Sequence, residues 1–552
     1  MVFNLREQML SVLSKVNLLQ QKKYILLLLT ILNLVIIYYF FQYNSIKTSD
    51  YLDSVSINLG EVPQIPWDLK QAAIQVNETF SAAVHGCLTS VYSLGSVDTS
   101  NQTTLLKNYY CEDLICTIEL KENIYFHNKR IVNAYDVEFS FVKQLLKDKQ
   151  ESFTIPILSD IEGIDHFKRE DIKIVAYNNI QYPTNLINGI KVISPTQIKF
   201  YLKRKNKYFF HKISQGRLPI VPIEELQDDY ESWKKYPIGF GKYKVTLVEP
   251  LKNQYVLEKI NKDEKIPTKV ILFFSDKING DINMSLGNPK RILPPDDHIL
   301  VFSNFYSNGG FLYNYQTELG RNENFRKAIS LALDRNKIAQ KSIINEIFPE
   351  DQMLNNSDWQ MIYRYPMPIQ KQDLAKAKQF LAKVPEKLWK NKLFEIPTYW
   401  EDVKEINSLP YINEMQKQLE SLGLKVKFLD TDINYDKFQQ NDKNIMWFTG
   451  FGISFVSFDP NKNFAHFIKG SYFTYEQPND PLFNELFKKS SEQYLEHPES
   501  TQQMSKYFAE KNFMTVVMNQ RMSLSYNPQK IISLGNQYNG IRFAIWELVL
   551  KH

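Results

Sequence analysis

The stretch KENIYFHNKRIVNAYDVEFSF, residues 121–141, decides the fold of this chain. It completes an alternating run that starts at Cys116 and predicts a β-strand, crosses a polar turn, and enters a segment with helical character. His127 ends the strand, where we expect it to form a hydrogen bond. Asp136 opens the helix, where a carboxylate caps or charge-stabilises the first turn. No nucleophile lies nearby, so we interpret the stretch as structural rather than catalytic.

The length and charge of the chain limit its class. With 552 residues it is too long for one hydrophobic core, and roughly two to four domains or lobes are expected. Hydrophobic residues make up 43% and aromatic residues 14%, which is typical of a globular protein. The net charge is +5, of which residues before position 44 carry +3, which leaves +2 for the rest. A nucleic-acid binder normally concentrates more positive charge in its folded part.

An apolar segment, YILLLLTILNLVIIYYFF, occupies residues 24–41, with only Thr30 and Asn33 clearly polar. At about 1.5 Å per residue, a helix of this length just spans a bilayer core. Lys22 and Lys23 precede it, which predicts an N-in orientation with the main domain outside the cytoplasm. A cleaved signal peptide is the alternative, but no A-x-A pattern follows the segment. The sequence therefore predicts an uncleaved, single-pass signal-anchor.

Three cysteines bear on the compartment and on metal binding. Cys111 and Cys116 bracket CEDLIC, and in an oxidising compartment they either form a short bridge across the turn or remain two unpaired thiols. Cys87 is expected to be a small buried side chain. The cysteine and histidine spacings match no metal site, so we expect neither a metal nor a cofactor.

The hydrophobic patterns change between the two halves of the chain. The first half predicts strands and hairpins at 54–63, 190–204, 243–260 and 268–276. The second half predicts helices and strands: a helix at 322–343, a helix at 373–384, a helix, Gly423 and a strand at 411–430, a strand at 444–452, helices at 481–494 and 500–513, and a strand pair at 515–528. This order predicts an α/β protein of two large lobes, and ligands favour the cleft between such lobes.

Enzyme signatures are absent from the sequence. It contains neither G-x-S-x-G nor H-E-x-x-H. The segment IGFGKYKV, residues 238–245, lacks the first glycine of a phosphate loop and places Tyr243 where Ser or Thr should hold magnesium, so we interpret it as a glycine turn. We therefore predict that the protein is not an enzyme. A hydrolase would require a nucleophile–base pair assembled in space.

The opening stretch resembles a segment of family 5 extracellular solute-binding proteins, the oligopeptide/dipeptide-binding class of ABC importers, which typically reads R-K-G-V-K-F-H-D-G-x-P-x-T-A-E-D-V-V-F-S. The matching residues are Phe126, His127, Ala134, Asp136, Val137, Phe139 and Ser140. Further blocks that are similar to the family follow in its order: YPIGFGKYKV (236–245), FRKAISLALDRNKIA (325–339), DLAKAKQFLAKV (373–384), MQKQLESLGLKVKF (415–428) and FDPNKNFAHF (458–467).

This resemblance implies a two-lobed periplasmic-binding-protein-like fold of type II, with the extra domain typical of peptide-binding members and one preceding transmembrane helix. The expected boundaries are a cytoplasmic N-terminus at 1–23, the anchor at 24–41, a linker at 42–54, lobe 1 at 55–290 with an inserted subdomain at about 82–190, lobe 2 at 291–525, and a C-terminal segment at 526–552 returning to lobe 1. Because Phe139 and Phe141 are two residues apart, one of them is expected to line a surface between the lobes.

The implied function is capture of a peptide or peptide-like solute by lobe closure at a bacterial cytoplasmic membrane. The main domain would lie in the periplasm or outside the cell, and the partners would be an ABC permease and its ATPases, with no nucleic acid. The ligand-facing segment would run from Trp447 to Asp459. The candidate ligand-binding residues are Trp447, Phe451, Gly452, Ile453, Ser454, Val456 and Asp459, with Tyr313 and Asn314 as weaker candidates.

One departure from the family bears directly on the ligand. Peptide-binding members typically carry an Asp four residues before the Pro of D-P, and this Asp pairs with the peptide α-amino group. Here Val456 stands in that position, and Ile453 replaces a frequent Trp. A buried ammonium without a partner is costly, so recognition of an ordinary α-amino group is in doubt. The alternative function is a non-transport sensor or scaffold that keeps the binding-protein fold.

Overall fold

The computed structural model describes most of the chain from residue 53 onward. The described ranges are 53–60, 80–91, 97–99, 103–146, 158–164, 173–183, 187–214, 218–230, 232–249, 254–262, 265–275, 279–284, 294–354, 360–398, 409–429, 445–452, 458–468, 478–536 and 543–551. Among these residues, no helix combines the length and the apolar character needed to cross a membrane. The anchor expected at 24–41 lies outside the described residues.

Twenty-one strands are assigned among the described residues. In chain order they are β1 Ser54–Asn58, β2 Ser90–Val91, β3 Val97–Asp98, β4 Leu106–Glu112, β5 Ile115–Leu120, β6 Ile174–Tyr177, β7 Ile180–Pro183, β8 Ile190–Ser194, β9 Gln197–Tyr201, β10 Tyr243–Glu249, β11 Gln254–Lys259, β12 Lys269–Phe273, β13 Ile282–Met284, β14 Ile299–Tyr313, β15 Ile347–Pro349, β16 Leu393–Pro397, β17 Lys425–Leu429, β18 Met446–Gly452, β19 Met514–Tyr526, β20 Ile531–Ser533 and β21 Val549–Leu550.

Eleven α-helices have both of their ends within the same ranges. They are α1 Ala134–Leu146, α2 Phe209–Ile213, α3 Glu318–Arg321, α4 Glu323–Ala332, α5 Arg335–Ala339, α6 Leu374–Leu381, α7 Glu386–Trp389, α8 Pro410–Ser421, α9 Lys462–Ala465, α10 Pro481–Gln493 and α11 Pro498–Glu510. The fold is therefore mixed α/β, as predicted.

A nine-stranded sheet runs through the molecule in the order β10-β11-β12-β1-β13-β19-β14-β18, with β15 paired to β19. Strand β1 is parallel to β12 and β13, whereas β14 is antiparallel to both β18 and β19. The longest pairing joins β14 and β19, from Ile299 opposite Tyr526 to Leu312 opposite Met514. The strand pair predicted at 515–528 is therefore wrong: these residues form one long strand, because β14 supplies a partner along most of its length.

The hairpins predicted in the first half are present. Strands β4, β5, β9 and β8 form an antiparallel sheet in that order, and β10 pairs with β11. At the tip of the β4–β5 hairpin, Cys111 lies directly opposite Cys116, and their sulfur atoms form a disulfide of 1.98 Å. The structure thus favours the bridge over two unpaired thiols. Cys87 is buried, as expected, and is not part of the disulfide.

The helical segments of the second half mostly follow their predicted positions. Helix α8 ends before Gly423, which has the predicted left-handed conformation at φ +101°, and β17 follows and pairs with β16. The single helix predicted at 322–343 is wrong, because the chain breaks into α4 and α5. Leu333 is extended, and the Asp334 carboxylate accepts the Lys337 N–H, which starts a new helix.

Buried apolar side chains form three large clusters. The first joins residues between Phe311 and Met518, the second joins residues between Leu88 and Phe240, and the third combines residues from 55–84, 243–284 and 524–550. Strands β14 and β19 connect the third cluster to the first, since Leu524 belongs to the third and Met514 to the first. The chain is therefore organised around separate cores rather than around one.

Candidate ligand-binding site

Strand β18 carries the first part of the predicted ligand-facing segment. Trp447 lies opposite Leu312 of β14, is 4% exposed and belongs to the first core. Phe451 and Gly452 end the strand, opposite Asn308 and Ser307. Three other candidates, Ile453, Ser454 and Val456, lie outside the described residues.

Tyr313 and Asn314 lie at the opposite end of the β14–β18 pairing from Phe451. Tyr313 is buried, its hydroxyl lies 2.6 Å from the Thr515 Oγ1, and burial raises the pKa of its phenol above the ordinary value. Asn314 is also buried; its N–H donates to the Ile445 carbonyl and its Oδ1 accepts the Gln316 N–H at 3.0 Å. The described contacts of both residues hold the end of β14 in place.

Asp459 organises the turn that follows the ligand-facing segment. Its Oδ1 accepts the backbone N–H of Asn461 at 2.9 Å, which is the turn role expected for an Asp before Pro. Its charge also reaches Tyr494, whose pKa is raised by burial first and by Asp459 second. Asp459 therefore lies close to Tyr494, a residue of the first core.

Arg204 bridges the second core and the first. Its guanidinium donates to the Ser491 carbonyl at 3.2 Å and to the Tyr494 hydroxyl at 3.3 Å, and it lies 5.3 Å from the centre of the Tyr494 ring. Burial alone would lower the pKa of Arg204, but Tyr494, Asp160 and Asp459 together raise it. The arginine therefore stays charged where it meets α10 and the turn at Asp459.

Aromatic rings form a second contact close to Arg204. Phe458 stacks on Tyr208, which packs against the first core, with ring centres 5.8 Å apart, and the centres of the Phe458 and His211 rings lie 5.2 Å apart. The Tyr363 hydroxyl donates to that of Tyr208 at 3.4 Å. Phe458 is buried and adopts φ +44°, an uncommon conformation for an aromatic residue that surrounding contacts must maintain. We call Arg204, Tyr208, Phe458 and Tyr494 the bridging cluster.

Asp160 fixes the orientation of Arg204. Its Oδ1 accepts from the Arg204 Nε at 3.1 Å, and its Oδ2 accepts from Lys212 at 2.5 Å and from Asn206 at 2.6 Å. Burial would raise the pKa of Asp160, but Lys212 and Arg204 outweigh it and hold that pKa below the ordinary value. The ionised carboxylate thus neutralises two cations at the base of the bridging cluster.

The opening stretch folds as a reciprocal cap joined to a buried ion pair. The Asn133 Oδ1 accepts the Tyr135 N–H at 2.8 Å, and the Asp136 Oδ2 accepts the Asn133 N–H at 2.9 Å, which confirms the capping role of Asp136. Arg130 binds Asp136 with two nitrogens, at 2.7 and 2.9 Å, and also reaches Glu224. Burial raises the pKa of Asp136, and Arg130 opposes this rise most strongly.

A family model described as "Bacterial extracellular solute-binding proteins, family 5 Middle" matches residues 112–475, which include the capped helix and the bridging cluster except Tyr494. The chain belongs to this family. Among curated proteins, no sequence matches the chain significantly.

Solved structures of binding proteins share the fold. The ABC transporter substrate-binding protein CtaP of Listeria monocytogenes matches with a TM-score of 0.67 and 17% identity, over 90% of this chain and 99% of that one. A periplasmic oligopeptide-binding protein of Borrelia burgdorferi, OppAIV, also matches with a TM-score of 0.67 and 17% identity, over 90% and 100%. OppA of Haemophilus influenzae in complex with the peptide RPPGFSPFR matches with a TM-score of 0.64 and 15% identity, over 90% and 99%.

The family's first two sequence blocks contact each other through His127, and His85 contacts the second block. The His127 ring lies 2.9 Å from the Gly241 carbonyl, and the His85 ring lies 2.9 Å from the Ile238 carbonyl. A Cβ on Gly239 would lie 2.1 Å from the His85 Cα, so this turn of the solute-binding protein requires glycine. The glycine turn predicted for residues 238–245 and the hydrogen bond predicted for His127 are both confirmed.

The two aromatics of α1, one of which was expected to line a surface between the lobes, lie in different clusters. Phe139 and Phe141 are both fully buried, Phe141 in the second core and Phe139 in a small cluster with Tyr182 and Val221. Residues two apart on a helix point to different sides, and α1 is covered on both. Neither ring therefore lines an open surface.

Arg204, Tyr208 and Tyr494 of the bridging cluster were not predicted as functional, and Phe458 lies in the predicted ligand-facing segment without having been named as a candidate. Arg204 and Tyr494 are 290 residues apart, so no local periodicity links them. Phe458 could have been noted because it precedes Asp459 in the family block FDPNKNF. Among the residues that the structure describes, no group of His, Cys, Asp and Glu is arranged to hold a metal ion.

Proposed function

We propose that this family 5 solute-binding protein captures a peptide-like solute by closing two lobes around it and delivers the solute to an ABC transporter. The single observation that carries the proposal is the bridging cluster, in which Arg204 and Tyr208 of one region contact Tyr494 and Phe458 of another. Contacts of this kind between separate cores are suited to forming and breaking as the lobes close and open.

The proposed lobes follow the division expected from the sequence. Lobe 1 comprises 55–290, with an inserted subdomain at about 82–190, lobe 2 comprises 291–525, and the segment 526–552 returns to lobe 1. The third core supports this division, because it unites residues from 55–84, 243–284 and 524–550. Strands β14 and β19 are the proposed connections at which closure would occur.

The proposed ligand contacts are the candidate residues of the segment Trp447–Asp459, together with Tyr313 and Asn314. Phe458, a member of the bridging cluster, and Asp459, whose charge acts on Arg204, support this placement, since both would respond to closure. Val456 replaces the acidic residue that pairs with an α-amino group in peptide-binding members, so we propose a solute whose amine is blocked or absent.

The proposed location is the outer side of a bacterial cytoplasmic membrane, with residues 24–41 as a single-pass, N-in anchor. The charge and apolar pattern of the N-terminus support it. The proposed partners are an ABC permease and its ATPases. An anchored receptor would remain close to such a permease rather than diffusing away from it.

Thermal melting of the full-length chain in a mild detergent tests solute capture. The probes are free peptides, the same peptides with acetylated amines, and non-peptide solutes. A ligand at about 100 times its Kd should stabilise the protein by about 2.7 kcal/mol. We expect acetylated peptides or non-peptide solutes to raise the melting temperature. If the protein is folded and no probe of the three sets raises its melting temperature, solute capture is refuted and a sensor or scaffold is favoured.

A further inference from the structure

Three buried polar atoms without partners lie close together on one face of the long sheet. Asn308 of β14 is directly opposite Asn519 of β19, and Thr449 of β18 is opposite Gly310, two residues further along β14. Directly opposite residues and residues two apart share a face of a sheet, so all three side chains lie on the same side. The Asn308 Oδ1, the Asn519 Oδ1 and the Thr449 Oγ1 each lack a hydrogen-bond partner among the described residues.

The orientation of both amides is fixed by their neighbours. The Asn308 Nδ2 donates to the Met353 carbonyl, and the Asn519 Nδ2 donates to the Glu350 Oε2 at 3.1 Å. A carbonyl and a carboxylate can only accept, so each amide must turn its NH2 towards them and leave its oxygen free. Two amide oxygens cannot bond to each other, and no described group donates to either of them, so both are available to a donor from another molecule, water included.

These atoms are deeply buried. The exposed fractions are 1% for Asn308, 4% for Asn519 and 1% for Thr449. A buried polar atom that has lost its water and gained no hydrogen-bond partner destabilises the folded state. Three such atoms on one face of the sheet each contribute to this loss of stability. An occupant that supplies donors would remove the cost.

The position of these atoms connects them to the proposed ligand site. Thr449 lies between Trp447 and Phe451 on β18, inside the segment proposed to face the ligand, and Asn308 is directly opposite Phe451 in the register. The loop after β15 covers Asn308 and Asn519 through Met353 and Glu350. The three atoms therefore lie where the proposed ligand-facing strand meets the strands that connect the cores.

Charge restricts which donor can bind here. The Glu350 carboxylate is already taken by Arg364, by Asn519 and by the N–H groups of Asp351 and Gln352. Asp351 in turn accepts the N–H groups of residues 369 and 370 at 2.5 and 2.8 Å. Both of these carboxylates are therefore already engaged, and a buried ammonium without a carboxylate partner would be costly.

We propose that Asn308, Asn519 and Thr449 form a subsite for an uncharged hydrogen-bond donor of the solute, such as an amide N–H. This inference rests on the proposed function and narrows its ligand class: neutral oxygens recognise an amide, and Val456 removes the charged partner that a free amine would need. The subsite would therefore select blocked amines and amides over ammonium groups.

Titration of the full-length chain with N-acetyl tripeptide amides, and with the corresponding free tripeptides, tests the subsite. Thr449→Val keeps the side-chain shape and removes only the hydroxyl. We expect it to weaken binding of the acetylated probe by about 10-fold, equivalent to about 1.4 kcal/mol, because a buried donor of the probe loses its partner. Asn308→Leu should weaken binding at least as much.

Thr398→Val is the matched control. Thr398 is also buried, but its Oγ1 already donates to the Leu429 carbonyl at 2.8 Å. This variant should melt at a lower temperature and bind the probe as the wild type does. Thr449→Val without ligand should melt no lower than the wild type, because its hydroxyl has no described protein partner.

The outcomes separate this inference from the proposed function. Probe binding to the wild type that is weakened by Thr449→Val and spared by Thr398→Val supports the subsite. Equal probe binding by the wild type, Thr449→Val and Asn308→Leu overturns the subsite and leaves solute capture intact; lower melting of ligand-free Thr449→Val would then indicate buried water. Binding of no probe to the folded wild type overturns the proposed function and the subsite with it.

Discussion

The substitution Asp160→Asn removes one negative charge at the base of the bridging cluster with little change of shape. The carboxylate lies 2.5 Å from the Lys212 Nζ, 2.6 Å from the Asn206 Nδ2 and 3.1 Å from the Arg204 Nε. The Lys212 side chain is only 2% exposed, so its ammonium cannot regain solvent when the carboxylate is lost. The variant therefore leaves a buried cation unpaired.

The expected loss of stability follows from the different exposure of the two cations. Breaking a buried pair typically costs about 3–5 kcal/mol, and this applies to Lys212. The Arg204 side chain is 38% exposed, so water replaces much of its interaction and its loss adds less than about 1 kcal/mol. We expect a total near 4 kcal/mol, a large share of the roughly 5–15 kcal/mol that stabilises a typical domain.

Urea denaturation of the wild type and of Asp160→Asn measures this loss. The midpoint should fall while the m-value stays constant, because the surface exposed on unfolding is unchanged. The double variant Asp160→Leu/Lys212→Met should recover most of the stability, since it removes both charges. A loss below about 1 kcal/mol for Asp160→Asn would refute the reasoning, because it would mean that Lys212 reaches water in the folded protein.

Two further predictions concern the opening stretch. Lys129 adopts φ +72° at a position where the family has glycine. Lys129→Gly should therefore raise the free energy of unfolding by about 0.5–1 kcal/mol, whereas Lys129→Ala should not raise it. Equal stability of the two variants in urea denaturation would contradict this prediction. Burial lowers the pKa of His85, of His127 and of His466 from 6.5 to about 4. Between these pH values the unfolded chain binds protons that the folded chain refuses, so the stability that these three groups contribute is complete above pH 6.5 and falls towards pH 4, with a slope approaching about 4 kcal/mol per pH unit. His127→Gln should reduce that slope by about one third, and a flat pH profile of the wild type would contradict the prediction.

Local features of the fold could be predicted because the responsible residues are close in sequence. Asn133 and Asp136 are three residues apart and cap the same helix turn, and Gly423 follows directly on the helix that it ends. In contrast, the break between α4 and α5 depends on Asp334 restarting a helix inside a continuous apolar pattern. Helical periodicity alone does not distinguish one continuous helix from two consecutive helices.

Features that depend on tertiary contact could not be predicted. Arg130 meets Glu224 across 94 residues, and Arg204 meets Tyr494 across 290. The burial of both Phe139 and Phe141 depends on layers that cover opposite sides of α1. For the candidate site, the sequence predicted the segment Trp447–Asp459 from its family block, whereas Tyr208 and Arg204, the partners of Phe458 and Asp459, lie far from that block in the sequence.

Small-angle X-ray scattering of the full-length chain, with and without the solute that raises its melting temperature most, tests closure most directly. An equal concentration of a solute that gives no thermal shift is the control. The account predicts a smaller radius of gyration only with the stabilising solute, and a weaker response in Arg204→Ala, which lacks the contacts to Ser491 and Tyr494. An unchanged radius at saturation would contradict capture by closure of two lobes.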